Sequence, residues 1–286
     1  MMRFPFDIYS RRKALNAFNL TASVLATLLG LFFLTWLLWT LFSQGFANLN
    51  LLLLTQDMPG PGTVGGGLRN AIYGSVMMTT LAVVIGAPIG VMAGIYLSEF
   101  GRFTVFASVV RFVNDVLLSA PSIVIGVFVY EIMVVPMGGF SGWAGSVALA
   151  IILVPVVVRT TEDMMRLIPD TMREAAAALG APRWKVVNSV VLRAALSGIL
   201  TGILLGVARI AGETAPLLFT ALNNQFFTTD MGGAMANLPV TIFNFAMGPY
   251  DNWHDLAWAG ALLITLAVLS LNIVTRVFLR PGKKQR

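Results

Sequence analysis

The sequence predicts an all-α membrane protein of six transmembrane helices with both termini in the cytosol, and three observations carry that prediction. Of 286 residues, 57% are hydrophobic and 11% charged, with a mean hydropathy of +0.81, whereas soluble domains carry about a quarter charged residues. Six apolar stretches are long enough to cross a bilayer as helices, which takes roughly 20 residues. Basic residues also fall on one side of those stretches. Every one of the 19 Lys and Arg residues except Arg69 and Arg209 lies in a segment that is internal if the N-terminus is internal, as the positive-inside rule requires. The outer segments instead carry Asp57, Asp230, Asp251 and Asp255, with His254 beside them.

In chain order the predicted spans are 18–43, 71–97, 112–135, 143–160, 197–222 and 256–279, within one permease domain over residues 1–286. The first follows "SRRKALNAF"; it is too long for a signal-peptide core and lacks an A-x-A-like end, so it is expected to be retained. The connection 44–70 contains "MPGPGTVGGGLRN" and reads as an outer loop from its Pro and Gly density. The second span carries a Gly86, Gly90, Gly94 stripe suited to close helix packing. Glu131 is expected near the outer end of the third span. Asn114 and Asp115, with Arg111 one turn earlier, read as a local polar network at its inner end. The tryptophans fall mostly near span ends, as interfacial anchors do.

Composition also excludes several activities. There are 0 cysteines, so neither disulfides nor thiol catalysis are available. The net charge of +6 and pI near 10.1 follow from the internal bias of Lys and Arg and do not call for nucleic acid. No G-x-x-x-x-G-K-[ST] phosphate loop occurs, so any ATP used must be bound by another chain. No Ser–His or Asp–Asp arrangement and no metal-ligand spacing is visible, and no cofactor or metal is expected in this chain.

The fifth span is the exception to the apolar pattern, because it contains Arg209 and Glu213. On insertion scales this pair costs about 5–7 kcal/mol, and the apolar residues of 197–222 return only about 3–7 kcal/mol. The segment therefore needs neighbours, with its charges turned to a bundle interior or a wet path. Residues four apart share a helix face. Gly198, Gly202 and Gly206 form a small-residue stripe, with Glu213 about 20° and Arg209 about 60° from Gly206 around the helix. Gly212 and Pro216 are expected to interrupt the helix there, as at midplane transport sites. Two readings stand: a buried ion pair locking the bundle, or a translocation site for an oxyanion, whose tetrahedral oxygens suit the guanidinium fork.

The internal loop 161–196 contains "IPDTMREAAAALGAPRWKVVNSVVLRAAL". Thr171 and Glu174 fit a capping box, Gly180 is placed to end the helix, and Pro182 to begin the next as its first helical residue. This stretch resembles the EAA motif of bacterial ABC importer permeases, in which E-A-A is followed after three residues by G and after nine more by I-x-L-P. Glu174, Ala175, Ala176 and Gly180 match, Val190 and Leu192 occupy the Ile and Leu positions, and Arg193 replaces the Pro. "APSIVIG" (120–126), "GETAPLLFTA" (212–221), "NLPVTIFNFA" (237–246) and "LAWAGALLI" (256–264) narrow the likeness to the PstA-type permeases of phosphate importers, over most of residues 65–280.

That resemblance implies the ABC importer permease fold in the cytoplasmic (inner) membrane and a coupling helix that docks on an ATP-hydrolysing subunit. It also implies a heterodimer with a PstC-type permease, two ATP-binding subunits and an external phosphate-binding protein, besides the membrane lipid around them. Arg209 and Glu213 are carried over as translocation residues. Arg159 in "VVRTTED" is a candidate exit-path residue or an interfacial anchor. The competing readings are a permease for another oxyanion such as sulfate or molybdate, and an ion-coupled secondary carrier in which Glu213 titrates.

Overall fold

The computed structural model describes residues 8–63 and 65–278, and all regular structure among them is helical. The chain runs α1 (Ile8–Ala47), α2 (Leu52–Thr55), α3 (Arg69–Ile95), α4 (Val105–Ser119), α5 (Ser122–Val129), α6 (Val135–Met137) and α7 (Gly142–Arg166). Then come α8 (Asp170–Ala178), α9 (Arg183–Val186), α10 (Leu192–Ile210), α11 (Ala215–Thr220), α12 (Leu238–Ala246) and α13 (Asp251–Phe278). Three π-helical turns, Tyr96–Phe100, Tyr130–Val134 and Val187–Val191, continue α3, α5 and α9. Five helices are long and apolar enough to cross a membrane, and up to 6 spans result if the bent pair 105–119 and 122–137 counts as one.

Helix α7 is the axis of the bundle. Of its most apolar 18-residue window, 67% is buried, against 6% for α1. Two glycine faces make that burial possible. A Cβ at Gly90 would lie 2.7 Å from Val157 Cβ, and one at Gly94 would lie 2.6 Å from Thr161 Cβ. From the other side, a Cβ at Gly202 would lie 2.6 Å from Thr160 Cβ, and Gly198 and Gly206 abut Met164 and Leu153. Lipid tails are as apolar as leucine, so association in a bilayer depends on such close contact. The main core cluster, with Met78, Leu149, Leu153, Val157 and Ile210, forms along this seam.

Several expectations are revised. The third span is not one helix over 112–135: Val105–Ser119 and Ser122–Met137 meet at 103°. Pro121 disfavours helical geometry in the residue before it, and Ala120 is accordingly extended at ψ 136. Helix α7 runs past residue 160 to Arg166, because Glu162 pairs with Arg166 one turn on. The last span begins at Asp251, so His254 sits in its first turns with Nε2 2.8 Å from Gly248 O. Leu279, the predicted end of that span, and the basic residues beyond it lie outside the described residues, as does Arg3. The outer connection is folded: α2 buries Leu53, Gly67 N donates to Asp57 O at 2.8 Å, and Leu68 N donates to Leu53 O at 2.8 Å.

Substituting leucine at Gly94 or Gly202 is expected to push α7 off its neighbours and destabilise the chain by about 1–3 kcal/mol, the usual penalty of overpacking. Gly30→Leu is the control, since nothing lies within 4 Å of its Cβ position. Thermal melting of the detergent-purified chain reads the difference.

Candidate translocation site and coupling surface

The fifth span breaks where Gly212 and Pro216 predict. Helix α10 ends at Ile210, residues 211–214 are not helical, and α11 resumes at Ala215 with Pro216 in its first turn. Arg209 closes α10 and Glu213 lies in the break. Their nearest atoms, Nε and Oε1, are 3.9 Å apart, an ion pair without a hydrogen bond. The Arg209 side chain is 45% exposed and Glu213 17%. The guanidinium is therefore held loosely, with most of its donor fork open on the side that the rest of the chain does not cover.

Two stretches singled out in the sequence meet beside this break. A Cβ at Gly126, in α5, would lie 2.7 Å from Pro216 Cα, so "APSIVIG" rests on "APLL" backbone to backbone. The short helices on either side of the 103° bend and of the span-five break thus support each other. Non-helical backbone at membrane depth is tolerated only when covered by protein or lining an aqueous cavity.

Toward the end of the bundle nearest the 161–196 loop, polar residues link spans two, three and four. Arg111 Nε donates to Glu162 Oε1 at 2.7 Å, and Arg111 Nη2 donates to Leu97 O at 2.9 Å. Arg166 Nη2 approaches the same Glu162 oxygen at 2.5 Å, and the Glu162 side chain is only 3% exposed. Asn114 Nδ2 donates to Pro155 O at 3.3 Å. The polar group of 111–115 is therefore a bridge to α7 and not a network within its own helix. Arg159 lies between Asp163 at 3.2 Å and Asp115 at 3.7 Å, with half of its side chain exposed.

The 161–196 loop folds as two short helices joined by a turn, a knob, with two corrections at its caps. Helix α8 starts at Asp170, with Pro169 rather than Thr171 at the N-cap. Pro169 is already extended, at ψ 143, and the Asp170 carboxylate suits the helix N-terminus. Pro182 likewise occupies the cap and not the first position of α9. Gly180 ends α8 in the left-handed region at φ +80. Ala176 packs inward on the cluster around Met165 and Val187, while Glu174 and Ala175 are exposed. Leu179 is 89% exposed and Trp184 63%, an apolar surface of the kind that marks an interaction site.

Arg173 fixes this knob to span two. Its Nη2 donates to Glu99 Oε1 at 2.6 Å and its Nε to Glu99 Oε2 at 3.2 Å, with further bonds to Met165 O and Ile168 O. The hydrogen bond that Arg173 donates to Glu99, with added attraction from Glu99 and Asp170, raises the guanidinium further above its ordinary value, so it stays charged throughout. Glu99 and Glu162 are the residues that sequence reasoning passed over. Their signal was available: they are carboxylates on the basic side of a chain with only 13 acidic residues.

The architecture has solved counterparts. A permease of a bacterial alginate ABC transporter, solved in complex with an alginate pentasaccharide-bound periplasmic protein, superposes with a TM-score of 0.68 at 13% identity, covering 96% of this chain and 98% of that one. The inward-facing MetNI methionine ABC transporter gives a TM-score of 0.61 at 20% identity over 74% of this chain and 94% of that one. The fold, with its broken span, is the one these ABC transporter chains share. The profile of binding-protein-dependent transport system inner membrane components matches residues 86–280. The phosphate transport system permease protein PstA of Yersinia pestis is 56% identical over 272 residues, covering 95% of this chain and 92% of that one. That of Pasteurella multocida is 57% identical over 267 residues, covering 93% and 95%, and PstA 1 of Mycobacterium tuberculosis H37Rv is 35% identical over 268. The chain belongs to the PstA family of phosphate transport system permeases.

Removing the Glu162 carboxylate, as in Glu162→Gln, leaves Arg111 and Arg166 facing each other over a buried neutral group. Breaking a buried pair in this way typically costs about 3–5 kcal/mol. The variant is expected to melt well below the parent chain, and cleavage by limited proteolysis should rise in the 101–115 and 160–170 segments.

Proposed function

We propose that this chain is one half of an inward-opening path for inorganic phosphate in an ATP-driven importer of the cytoplasmic (inner) membrane. Both termini are cytosolic in this reading, and residues 1–286 form one permease domain. The observation that carries it is the loosely paired, half-exposed Arg209 at the break of span five. A guanidinium stays charged at any working pH and presents donors that match tetrahedral oxygens. Glu213, near but not hydrogen-bonded, holds the cation when the site is empty and keeps anion affinity low enough for release. The choice of phosphate is supported by the names of the relatives above.

The open side of Arg209 is where a second, PstC-type permease completes the path. The exposed knob around Glu174, Ala175, Ala176 and Gly180 receives an ATP-binding subunit, two of which serve the heterodimer and bind the ATP. An external phosphate-binding protein delivers the substrate to the outer loops. Arg159 is a secondary exit-path group, because two flanking carboxylates already share its charge.

The test is uptake of labelled phosphate by the reconstituted complex, with co-purification of the ATPase scored on the same samples. A hydrogen bond to a charged group is worth about 1.5–3 kcal/mol, so Arg209→Ala should lower uptake by about 10- to 150-fold while the complex stays assembled. Glu174→Lys should lose the ATPase or its coupling. Normal uptake by Arg209→Ala moves the path elsewhere, and suppression of the signal by excess sulfate changes the cargo.

A further inference from the structure

Between the inner end of span two and the coupling knob lies a cavity of about 540 Å³ whose lining includes Glu99, Arg102, Phe103, Arg173 and Arg183. Its charges do not cancel. Arg173 is taken up by Glu99, and Arg102 reaches Asp170 at 3.4 Å. Arg183 donates only to the Glu99 backbone carbonyl, and among the described residues no carboxylate lies within ion-pair distance of it. Three guanidinium groups thus face two carboxylates. Two of the three lie over aromatic rings, Arg183 at 5.2 Å from the Phe100 centroid and Arg102 at 5.7 Å from that of Phe103.

The mouth of the cavity continues into an apolar strip. Phe103 is 93% exposed, Val105 82% and Phe106 63%, and the strip runs on through Val109, Phe112 and Val116 along α4. The other face of that helix carries Arg111, Asn114 and Asp115 toward α7, whereas the apolar face is mostly exposed among the described residues, with Phe106 edge-on to Tyr96 at 5.9 Å. A cationic pocket whose rim passes directly into an apolar helix face has the two-part chemistry of a phospholipid, with phosphate at one end and acyl chain at the other. Basic pockets among spans on the positive side of a membrane bind anionic head groups.

We infer that the Arg102–Arg183 cavity and the α4 strip below it form a binding site for one anionic phospholipid of the leaflet on the basic side. The head-group phosphate occupies the vacant donors of Arg183, and an acyl chain lies along Phe106 and Val109. Arg173 and Ala177 face this cavity, whereas Met172, Ala175 and Leu179 fall on the opposite face of α8. A lipid so placed props the knob against span two.

Native mass spectrometry of the full-length chain, titrated with phosphatidylglycerol or phosphatidylcholine, tests this independently of transport. A basic residue near the surface is worth about a fivefold change in binding of an anionic lipid. The wild type is expected to retain one phosphatidylglycerol in preference to phosphatidylcholine. Arg183→Gln should lose about fivefold and the Arg102→Gln, Arg183→Gln pair about 25-fold, with Arg183→Lys largely restored and Arg69→Gln, on the outer side, unchanged. Thermal melts confirm that each variant is folded. Equal retention of both lipids, or unchanged affinity in folded variants, overturns the proposal. Displacement by soluble glycerol phosphate as effectively as by lipid also overturns it and makes the cavity a site for free anions.

Discussion

The contact on which this structure depends is the approach of two helices to the same central one, each through glycines that seat directly on the central helix's side chains. Residues Gly86 to Gly94 bring α3 onto one side of α7, and Gly198 to Gly206 bring α10 onto another. In water, burial of apolar surface would drive such packing. Between helices already in lipid that term vanishes, and dispersion over a close, complementary surface remains. Three spans are thereby joined into one closely packed unit. The charged and broken parts of spans three and five can then be arranged around that unit without each being stable alone.

The ends of α3 and α7 that lie near the 161–196 loop are tied down by a different force. Glu99 and Glu162, both nearly buried, each hold an arginine from another segment: Arg173 from α8 and Arg111 from α4. Helix α8 is therefore tied to span two through a bidentate ion pair, and α9 leads through Val187–Val191 into α10 of span five. The 103° bend at Pro121 lets α4 stay with α7 while α5 stays with α11. The break at Arg209 thus lies at the far end of a connected series beginning at the knob.

The elements that local chemistry dictates were legible in the chain. Apolar run lengths located the spans, the glycine spacing located both close-packed faces, and Gly212 with Pro216 located the break. What escaped was non-local. Pro121 could be read as punctuation, but nothing in "SAPSI" states that the bend reaches 103°, which depends on α5 finding Pro216. Arg173 looked like one more internal positive charge, because its partner Glu99 lies 74 residues away. Helix α8 began two residues early because Pro169 had already taken the cap, so Thr171 lost a role that the pattern fitted well. The Arg209–Glu213 pair was legible in position but not in tightness. Four-residue spacing allows a hydrogen bond, and the break at 211–214 turns it into a looser contact.

Helix α1 raises a question of timing rather than of equilibrium. It is 40 residues long, about 60 Å at 1.5 Å per residue, and its packing within the chain is against α13, where Gly45 seats on Leu262. At synthesis rates of about 5–20 residues per second, the partner surface emerges roughly 10–40 s after the glycine. Through that interval the first span sits in lipid with Phe32, Phe33, Trp36 and Trp39 exposed. Anything else in the bilayer with a complementary face has that long to claim it, so which neighbour the first helix keeps is a matter of who arrives first.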